Sequence, residues 1–322
     1  MKDIVTFFTT DHTLHWGFFY NLCVALDKKD IVPVFLNVDE SNPYINTNFS
    51  AISMKSLKDE IFNILKPIAH IQMQDHDNVH RMLFQMAKSN NIPTFHIAHG
   101  HLTRVNGEWN LNAGIFDTVA DYVCLWGAGM VEGFLQKGVK KENIFITGNP
   151  RHDILPIYKK RDAFVPVLCT TATKSTDGMA IFGADPYECF RKFLKIVEAH
   201  PEITFHIKQH PTPFDDKEIW DKHIKDFGKE LPNISFVTKN IDFVQYLGLF
   251  DCCLHFMTSA ACDAAVYGIP IIDLRDDFDM VEEFDRILVG ESPRSDQFND
   301  LLRDRKSSER IADLILQASG KS

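Results

Sequence analysis

Short apolar runs alternate with longer amphipathic segments along most of the chain, and this alternation constrains the fold more than any other feature. Strands that alternate with helices are typical of βαβ units, whose strands are parallel and whose helices cover both faces of the sheet. The runs that predict strands cover residues 4–8, 32–36, 69–72, 94–98, 122–126, 144–146, 165–169, 204–208, 234–237, 252–256 and 270–273. The segments that predict helices cover residues 16–26, 56–66, 78–89, 129–137, 185–199, 217–227, 241–248 and 259–267.

The alternation stops and restarts once, which indicates two domains. A short polar and basic stretch, residues 158–162, separates the strand pattern at 144–146 from the one at 165–169. A chain of 322 residues is also long enough for two domains. We therefore predict an α/β protein with two Rossmann-like, doubly wound domains, residues 1–155 and 156–322, that face a cleft.

The composition argues against several classes of protein. The formal net charge of −10 disfavours nonspecific binding to nucleic acid, because such binding needs a basic surface. No apolar run approaches the roughly 20 residues that span a bilayer, and the start of the chain is too polar for a signal peptide. The 7 cysteines are scattered through apolar segments, which is typical of free thiols in a reducing compartment. We expect a cytoplasmic protein, with peripheral membrane contact left open.

The candidate functional residues follow predicted strands, where open parallel sheets bind their ligands. After the first strand, Asp11 or His12 could act as a general base, and His12 is also a candidate contact on the acceptor side or between the domains. The alternative is that Thr10 or Asp11 only caps the helix that follows, as Thr and Asp commonly do.

A loop rich in histidine follows the fourth predicted strand. His99 directly precedes Gly100, and glycine lets a substrate come close because it has no side chain. The imidazole pKa suits proton transfer at neutral pH, so His99 is the leading candidate for a catalytic base. His101 and Arg104 are candidates for the acceptor side or the space between the domains, with a surface position as the alternative for His101, and we expect His96 to be a buried strand residue.

The same histidines raise the alternative of a metal site. His96, His99 and His101 have the pattern H-x-x-H-x-H, and a second cluster of Asp and His spans residues 75–80. On a continuing strand, however, His96 and His99 would point to opposite faces of the sheet. The sequence therefore favours a site without a metal.

Two loops of the second half carry groups that can bind a phosphate. Thr170, Thr171 and Lys174 follow its first strand and supply hydroxyls, backbone N–H groups and one ammonium group. The alternative for these residues is a polar surface loop. His210 follows the next strand, and Pro211 fixes the backbone after it, so that His210 can donate a hydrogen bond to a phosphate.

The segment 255–270 is the most specific of the chain. Thr258 and Ser259 begin a predicted helix rich in alanine, and their hydroxyls and the N–H groups of the first turn suit a diphosphate. Asp263, one turn further on, is a candidate to bind ribose hydroxyls. The alternative is that the hydroxyls cap the helix and that the small residues form a packing face.

These motifs, in this order, resemble the GT-B type of nucleotide-dependent transferases, in particular the CDP-glycerol glycerophosphotransferases and related enzymes of bacterial surface-polysaccharide assembly. Four short elements within residues 94–273 carry the resemblance. They are His99-Gly100, the G-x-P-R-x-D of residues 148–153 with Arg151, the Lys-x-His-Pro of residues 208–211, and Thr258, Ser259 and Asp263 before Gly268 and Pro270. The glycerophosphotransferases have Ser-Ser in place of Thr258-Ser259, and Thr-Pro follows their His-Gly where this chain has His101-Leu102-Thr103.

The resemblance implies a metal-independent, inverting transferase without a cofactor. Such an enzyme moves a sugar, or a polyol phosphate, from a CDP-, CMP- or UDP-linked donor to the hydroxyl of a glycan or lipid-linked acceptor. The second domain would hold the donor and the first domain the acceptor. His99 or Asp11 would then be the base, and Arg151 would lie on the acceptor side or between the domains. The donor would be bound by Thr170, Thr171, Lys174, His210, Thr258, Ser259 and Asp263.

Three alternatives stay open from the sequence. The first is a CDP-glycerol type of glycerophosphotransferase. The second is an epimerase or hydrolase of a nucleotide sugar, since the non-hydrolysing UDP-GlcNAc 2-epimerases share the GT-B fold and similar motifs. The third is a noncatalytic subunit that binds a nucleotide or a glycan. The oligomeric state is open in every case.

Overall fold

The computed structural model describes most of the chain as two compact units. It describes residues 2–8, 12–37, 50–53, 60–73, 78–100, 111, 116–154, 163–170, 185–208, 225, 231–237, 243–256, 258–294 and 298–321, without the side chains of 12–18, 37, 50–53, 186 and 245. The first unit comprises the described residues within 1–102, 111–154 and 300–322, and the second comprises those within 155–299.

The first unit is a parallel sheet with the strand order β3-β2-β1-β4-β5-β6-β7. Its strands are β1 (Asp3–Phe8), β2 (Ile31–Asn37), β3 (Ser50–Ser53), β4 (Ala69–Gln72), β5 (Thr94–Ile97), β6 (Tyr122–Leu125) and β7 (Ile144–Ile146). Its helices are α1 (His12–Asp27), α2 (Ile61–Leu65), α3 (Asn78–Ser89), α4 (Val131–Gln136) and, from the end of the chain, α9 (Ser307–Ala318). Short 3-10 turns cover Ala128–Met130, Lys141–Asn143 and Pro150–Asp153.

The second unit is a parallel sheet with the order β10-β9-β8-β11-β12. Its strands are β8 (Pro166–Cys169), β9 (Phe205–Lys208), β10 (Ile234–Val237), β11 (Cys252–His255) and β12 (Ile271–Asp273). Its helices are α5 (Pro186–Ala199), α6 (Phe243–Tyr246), α7 (Ser259–Val266) and α8 (Met280–Leu288), with a 3-10 turn at Leu247–Leu249.

The two faces of the second sheet have different character. Leu168 and Leu254 pack with Phe190 and Phe193 of α5 and Phe284 of α8 in one buried apolar cluster. Side chains alternate along a strand, so the neighbouring residues of β8 and β11 point to the opposite face. That face carries cysteine and histidine, and α7 packs against β11 and β12 there.

These observations confirm the predicted α/β class with two Rossmann-like parallel sheets. Strands that are covered on both faces read as continuous apolar runs, which is why the sequence predicts them well. The structure adds β3, α8 and α9, which the sequence analysis did not assign.

The end of the chain does not follow the expected division at residue 155. That division assigns residues 300–322 to the second domain, whereas α9 packs against α1 of the first unit. The backbone N–H of Leu302 also donates to the Trp126 carbonyl at 3.2 Å. The physical reason is that hydrogen bonds from the first unit hold the start of this segment, first at Leu302 and then, through Asp153, at Ser307 and Ser308.

Asp153 caps α9 from a distant position in the sequence. Its Oδ1 accepts from the N–H of Ser307 at 3.0 Å and its Oδ2 from the N–H of Ser308 at 2.7 Å. These are N–H groups without partners inside the helix, and a carboxylate also interacts favourably with the helix dipole there. Gly148 lies close by with φ +80°, and a Cβ in its place would clash with the Ser307 side chain. The aspartate of the G-x-P-R-x-D motif therefore has a structural role in this chain.

Replacing Asp153 with alanine should lower the free energy of unfolding by about 1–2 kcal/mol, because α9 loses its cap. Asp313→Ala is the matched control on the same helix. It removes only the exposed ion pair with Lys29 (2.7 Å), which should cost less than about 0.5 kcal/mol. Urea unfolding of the two variants measures the difference, and equal losses would contradict the capping role.

Candidate functional site

In each sheet, one pair of adjacent strands marks the point where the chain reverses its direction of winding. In the first unit this pair is β1 and β4, and in the second it is β8 and β11. Connections on the two sides of such a point diverge and leave a crevice at the carboxyl ends of the strands, where ligands of open α/β sheets bind.

His99 follows the carboxyl end of β5, and its hydrogen bonding decides which ring nitrogen is basic. Its Nδ1 lies 3.2 Å from the carbonyl oxygen of Met73. A carbonyl can only accept, so Nδ1 must carry the proton and the lone pair of the neutral ring is on Nε2. The same carbonyl lies 3.2 Å from Nε2 of His96. This arrangement is consistent with the predicted role of His99 as a base that acts through Nε2.

The backbone beneath His99 is held from the neighbouring strand. The indole Nε1 of Trp126 donates to the carbonyl of Ala98 at 2.6 Å, and the N–H of Ala98 donates to the carbonyl of Cys124 at 3.0 Å. Both Ala98 and Gly100 are buried. His96, which the sequence places on the strand, is buried as expected. The position of His99 is thus fixed from both sides.

A directional chain of hydrogen bonds lies under the same edge, between β1 and β4. Gln72 Nε2 donates to the carbonyl of His80 at 3.2 Å and to Nε2 of His70 at 2.8 Å. His70 Nδ1 then donates to Oγ1 of Thr6 at 3.0 Å, and that hydroxyl donates to the Ala69 carbonyl at 3.3 Å. Burial, with the nearby His80, lowers the pKa of His70 to about 3. In this series of hydrogen bonds, Oε1 of Gln72 stays buried and has no hydrogen-bond donor.

In the second unit, the structure places Thr170 and Thr258 at the ends of the two central strands. Thr170 is 2% exposed; its N–H and its Oγ1 donate to the Lys208 carbonyl at 3.1 and 3.4 Å. Thr258 caps α7, because its Oγ1 accepts from the N–H of Ala260 at 3.3 Å and its carbonyl accepts from Ala261 at 3.1 Å. The cap leaves the hydroxyl hydrogen of Thr258 able to donate to an oxygen of a ligand.

Ser259 and Asp263 differ in their exposure. Ser259, the first residue of α7, is exposed. Asp263 is 1% exposed, so it can reach ribose hydroxyls only if the groups that cover it move. The ribose role of Asp263 stays a prediction.

A charged cluster that the sequence analysis did not select lies at the same edge. Arg275 Nε donates to Oδ1 and Oδ2 of Asp273 at 2.9 and 3.0 Å, and Nη2 donates to Oδ2 at 2.5 Å. Burial would raise the pKa of the Asp273 carboxyl, but His255 beside it and the paired Arg275 hold that pKa below its usual range. Burial lowers the pKa of His255 to about 4, so its ring is neutral at pH 7. The signal in the sequence was the place of His255, three residues before the Thr-Ser helix start.

The remaining predicted residues are only partly covered by the structure. Arg151 lies in the 3-10 turn Pro150–Asp153, and its N–H donates to Oδ1 of Asn149 at 3.0 Å. His12 is the first residue of α1, and its side chain lies outside the described part of the chain. The predictions for Asp11, His101, Arg104, Thr171, Lys174 and His210 fall outside the described residues.

Two features are absent from the described residues. No group of three or more of their His, Cys, Asp or Glu side chains could hold a metal ion. None of their helices is long and apolar enough to cross a membrane.

Several solved structures have the same architecture as this chain. No protein-family model matches the chain, and a search of curated proteins finds no match. The structure is similar to that of S. aureus MnaA with UDP (TM-score 0.67, 13% identity, covering 100% of this chain and 98% of that one). It is also similar to the UDP-GlcNAc 2-epimerase from Neisseria meningitidis bound to UDP-GlcNAc, with a TM-score of 0.66 and 14% identity, covering 98% of this chain and 100% of that one. The similarity to Acinetobacter baumannii MurG has a TM-score of 0.53 and 10% identity, covering 98% of this chain and 100% of that one.

The chain has a GT-B type fold. At these identities the similarity shows the fold alone, and the fold hosts more than one activity. It agrees with the predicted GT-B architecture and does not single out the CDP-glycerol glycerophosphotransferases.

The buried neutral histidines should make the protein sensitive to acid. An unfolded histidine has a pKa near 6.5, whereas in the folded protein the pKa of His70 is about 3 and that of His255 is about 4. Below pH 6.5 the unfolded chain therefore binds protons at these two positions that the folded protein does not bind. The free energy of unfolding should therefore be largest above about pH 6.5 and fall below it, by about 1.4 kcal/mol per pH unit for each histidine. Urea unfolding from pH 7.5 to 5 measures this slope. The variant His70→Asn should reduce the slope by the contribution of one histidine. An unchanged slope would contradict the lowered pKa of His70.

Proposed function

We propose that the protein is an enzyme that acts on a nucleotide sugar and that its second unit binds the nucleotide. The observation that carries this proposal is the end of β11. There a parallel strand at the winding reversal runs into α7, which begins at Thr258 and Ser259. Helix starts at this point of open α/β sheets suit phosphate groups, because the helix dipole and hydroxyl groups favour negative charge. The similar structures with UDP and UDP-GlcNAc support the same ligand class.

We infer that epimerisation at carbon 2 of the sugar is the leading candidate reaction. The similar structure from Neisseria meningitidis, which covers 98% of this chain, is that of a UDP-GlcNAc 2-epimerase. Epimerisation breaks the C–H bond at carbon 2 and forms a new one on the opposite face, so one group must remove a proton from that carbon and another must return one. Nε2 of His99 carries the lone pair in the neutral ring and can serve as one of these two groups. The reaction needs no second substrate.

Transfer of the sugar to an acceptor hydroxyl is the second candidate, and the order of the four sequence motifs favours it. In that reaction Nε2 of His99 takes the proton of the attacking hydroxyl, the bond between the sugar and the phosphate breaks, and the nucleotide leaves with its negative charge. Groups aimed at such developing charge lower the barrier, by roughly 3–4 kcal/mol for a single well-placed donor. Thr258, Ser259 and the dipole of α7 would supply this stabilisation.

Incubation with UDP-GlcNAc in the absence of an acceptor distinguishes the two reactions. Epimerisation should give a second sugar stereoisomer at carbon 2, detectable by NMR, and EDTA should not suppress it. A transferase should leave the donor unchanged until an acceptor is added. Failure to bind or convert any of the UDP-, CMP- and CDP-linked donors would contradict both candidates.

Replacing His99 with glutamine should lower kcat by at least about a hundredfold and leave the Kd for UDP nearly unchanged, because it removes the base and not the nucleotide site. His200→Gln is the control, since His200 is a buried histidine at the end of α5. It should retain the wild-type kcat. A His99 variant with a normal kcat and a raised KM would contradict the base assignment.

A further inference from the structure

His255 is buried in the second unit with neither ring nitrogen hydrogen-bonded. It is 1% exposed, and both Nδ1 and Nε2 lack a hydrogen-bond partner. Most buried polar side-chain atoms in proteins are hydrogen-bonded, and one left unbonded is costly to the folded state. A histidine in this state does not stabilise the fold through hydrogen bonds, so its polar ring needs another explanation.

The charged group beside the ring is already occupied. Oδ2 of Asp273 is 3.9 Å from Nε2 of His255, which is too long for a hydrogen bond. Arg275 holds the same carboxylate through Nε and Nη2, and its backbone N–H also donates to Oδ1 at 3.0 Å. This fork fixes Asp273 in place and keeps it from turning toward the ring.

The register of the strands places His255 at the ligand-binding edge. It is the last residue of β11 and is paired with Cys169 of β8 and with Asp273 of β12. It therefore lies at the winding reversal between β8 and β11, at the carboxyl ends of both strands. This is the position at which open α/β sheets bind ligands.

The side chain of His255 lies on the face that α7 covers. Cys253, two residues earlier, shares this face, and its Sγ is 3.7 Å from Sγ of Cys169. Contact with Cys169 and burial raise the pKa of Cys253, and so does the nearby charge of Asp263 in the second turn of α7. α7 starts at the same carboxyl edge, and its cap Thr258 follows His255 by three residues.

We propose that His255 is a binding residue for the phosphate groups of the nucleotide, donating a ring N–H to a phosphate oxygen beside Thr258 and Ser259. The inference rests on the proposed function and adds a residue to its nucleotide site. The ligand class is a nucleoside diphosphate or the diphosphate of a nucleotide sugar. A phosphate oxygen would satisfy the ring that the free protein leaves unbonded. Since His255 is 1% exposed, the groups that cover it must move to admit the phosphate, as for Asp263.

Phosphate binding should also change the protonation of this histidine. In the free protein the ring is neutral, held so by burial and by Arg275 against the pull of Asp273. Among the described residues, Cys169 of β8 is paired with His255, and Cys253 of β11 lies on the same face with Asp263 of α7 near it. A diphosphate adds negative charge, which favours the imidazolium. Binding of the nucleotide should therefore be accompanied by uptake of a proton.

Calorimetric titration of UDP into the full chain at pH 6.5, in two buffers with different ionisation enthalpies, measures this uptake. The wild-type protein should take up a proton as UDP binds. The variant His255→Gln should bind UDP about ten- to a hundredfold more weakly, as expected for loss of a hydrogen bond to a charged group. It should also take up about one proton fewer than the wild-type protein, a difference from which the titration of the UDP phosphate itself cancels. Equal affinity and equal uptake in the two proteins would overturn the inference.

The variant His255→Phe separates a binding role from a structural one. It removes both unbonded nitrogens and keeps an aromatic ring near Phe298, whose centroid is 5.9 Å from that of His255. We expect an unchanged or higher Tm without ligand, together with weaker UDP binding. A lower Tm with unchanged UDP affinity would assign His255 a structural role instead. If His255→Phe does not fold, the UDP affinity and the proton uptake of His255→Gln distinguish the binding role from the structural one.

His200→Gln is the matched control within the same unit. His200 is also buried, with its Nε2 3.4 Å from Oδ1 of Asp285, but it follows the C-terminal end of α5, at the opposite edge of the sheet. This variant should keep both the UDP affinity and the proton uptake. If the wild-type protein binds no nucleotide, the proposed function and this inference fail together. If it binds UDP and the His255 variants behave like the wild type, only the inference fails.

Discussion

All pairings between the described strands of both sheets are parallel, and this constraint decides where chemistry can occur. A parallel strand cannot be joined to its neighbour by a tight turn, so the chain must cross back over the sheet after each strand. All connections that begin at the carboxyl ends therefore start at one edge. His99 after β5 and Thr258 after β11 are two such positions, and neither could be moved to another edge without reversing its strand.

In both units, buried polar atoms without a hydrogen-bond partner occur at the same place in the sheet. Gln72 ends β4 and His255 ends β11, and each of these strands adjoins the first strand of its unit at the winding reversal. Oε1 of Gln72 and both ring nitrogens of His255 lack a hydrogen-bond partner. Around them, the bonding is otherwise extensive, as in the chain from Gln72 through His70 to Thr6. Buried groups of this kind are costly to the fold, and a ligand that bonds to them would recover that cost.

The sequence was sufficient for the elements with strong patterns. Strands β4, β7 and β10 and helix α3 begin and end where the pattern placed them, because short apolar runs between polar segments and a clear amphipathic period leave few alternatives. Helices α8 and α9 were not assigned, although α8 is capped by Asp279 and buries Met280, Phe284 and Ile287. The return of α9 to the first unit could not be found locally, since it depends on contacts between residues far apart in the sequence, such as Asp153 with Ser307 and Ser308.

The same limit applies to the site. The sequence identified His99, but its tautomer depends on the Met73 carbonyl, which is brought to it only by folding. It identified Thr258 as a candidate for both a cap and a ligand contact, and the structure shows the cap. It did not select His255, because a histidine in an apolar run reads as a core residue until the register places it at the edge.

Hydrogen exchange of the full chain with and without UDP, measured by mass spectrometry, tests the central claim most directly. The account predicts slower exchange on UDP binding in peptides that cover the end of β11 and the first turns of α7, residues 255–263, with little change in the amino-edge segments such as residues 200–204. Binding of UDP with no protection at residues 255–263, or no binding at all, would contradict the assignment of the nucleotide site.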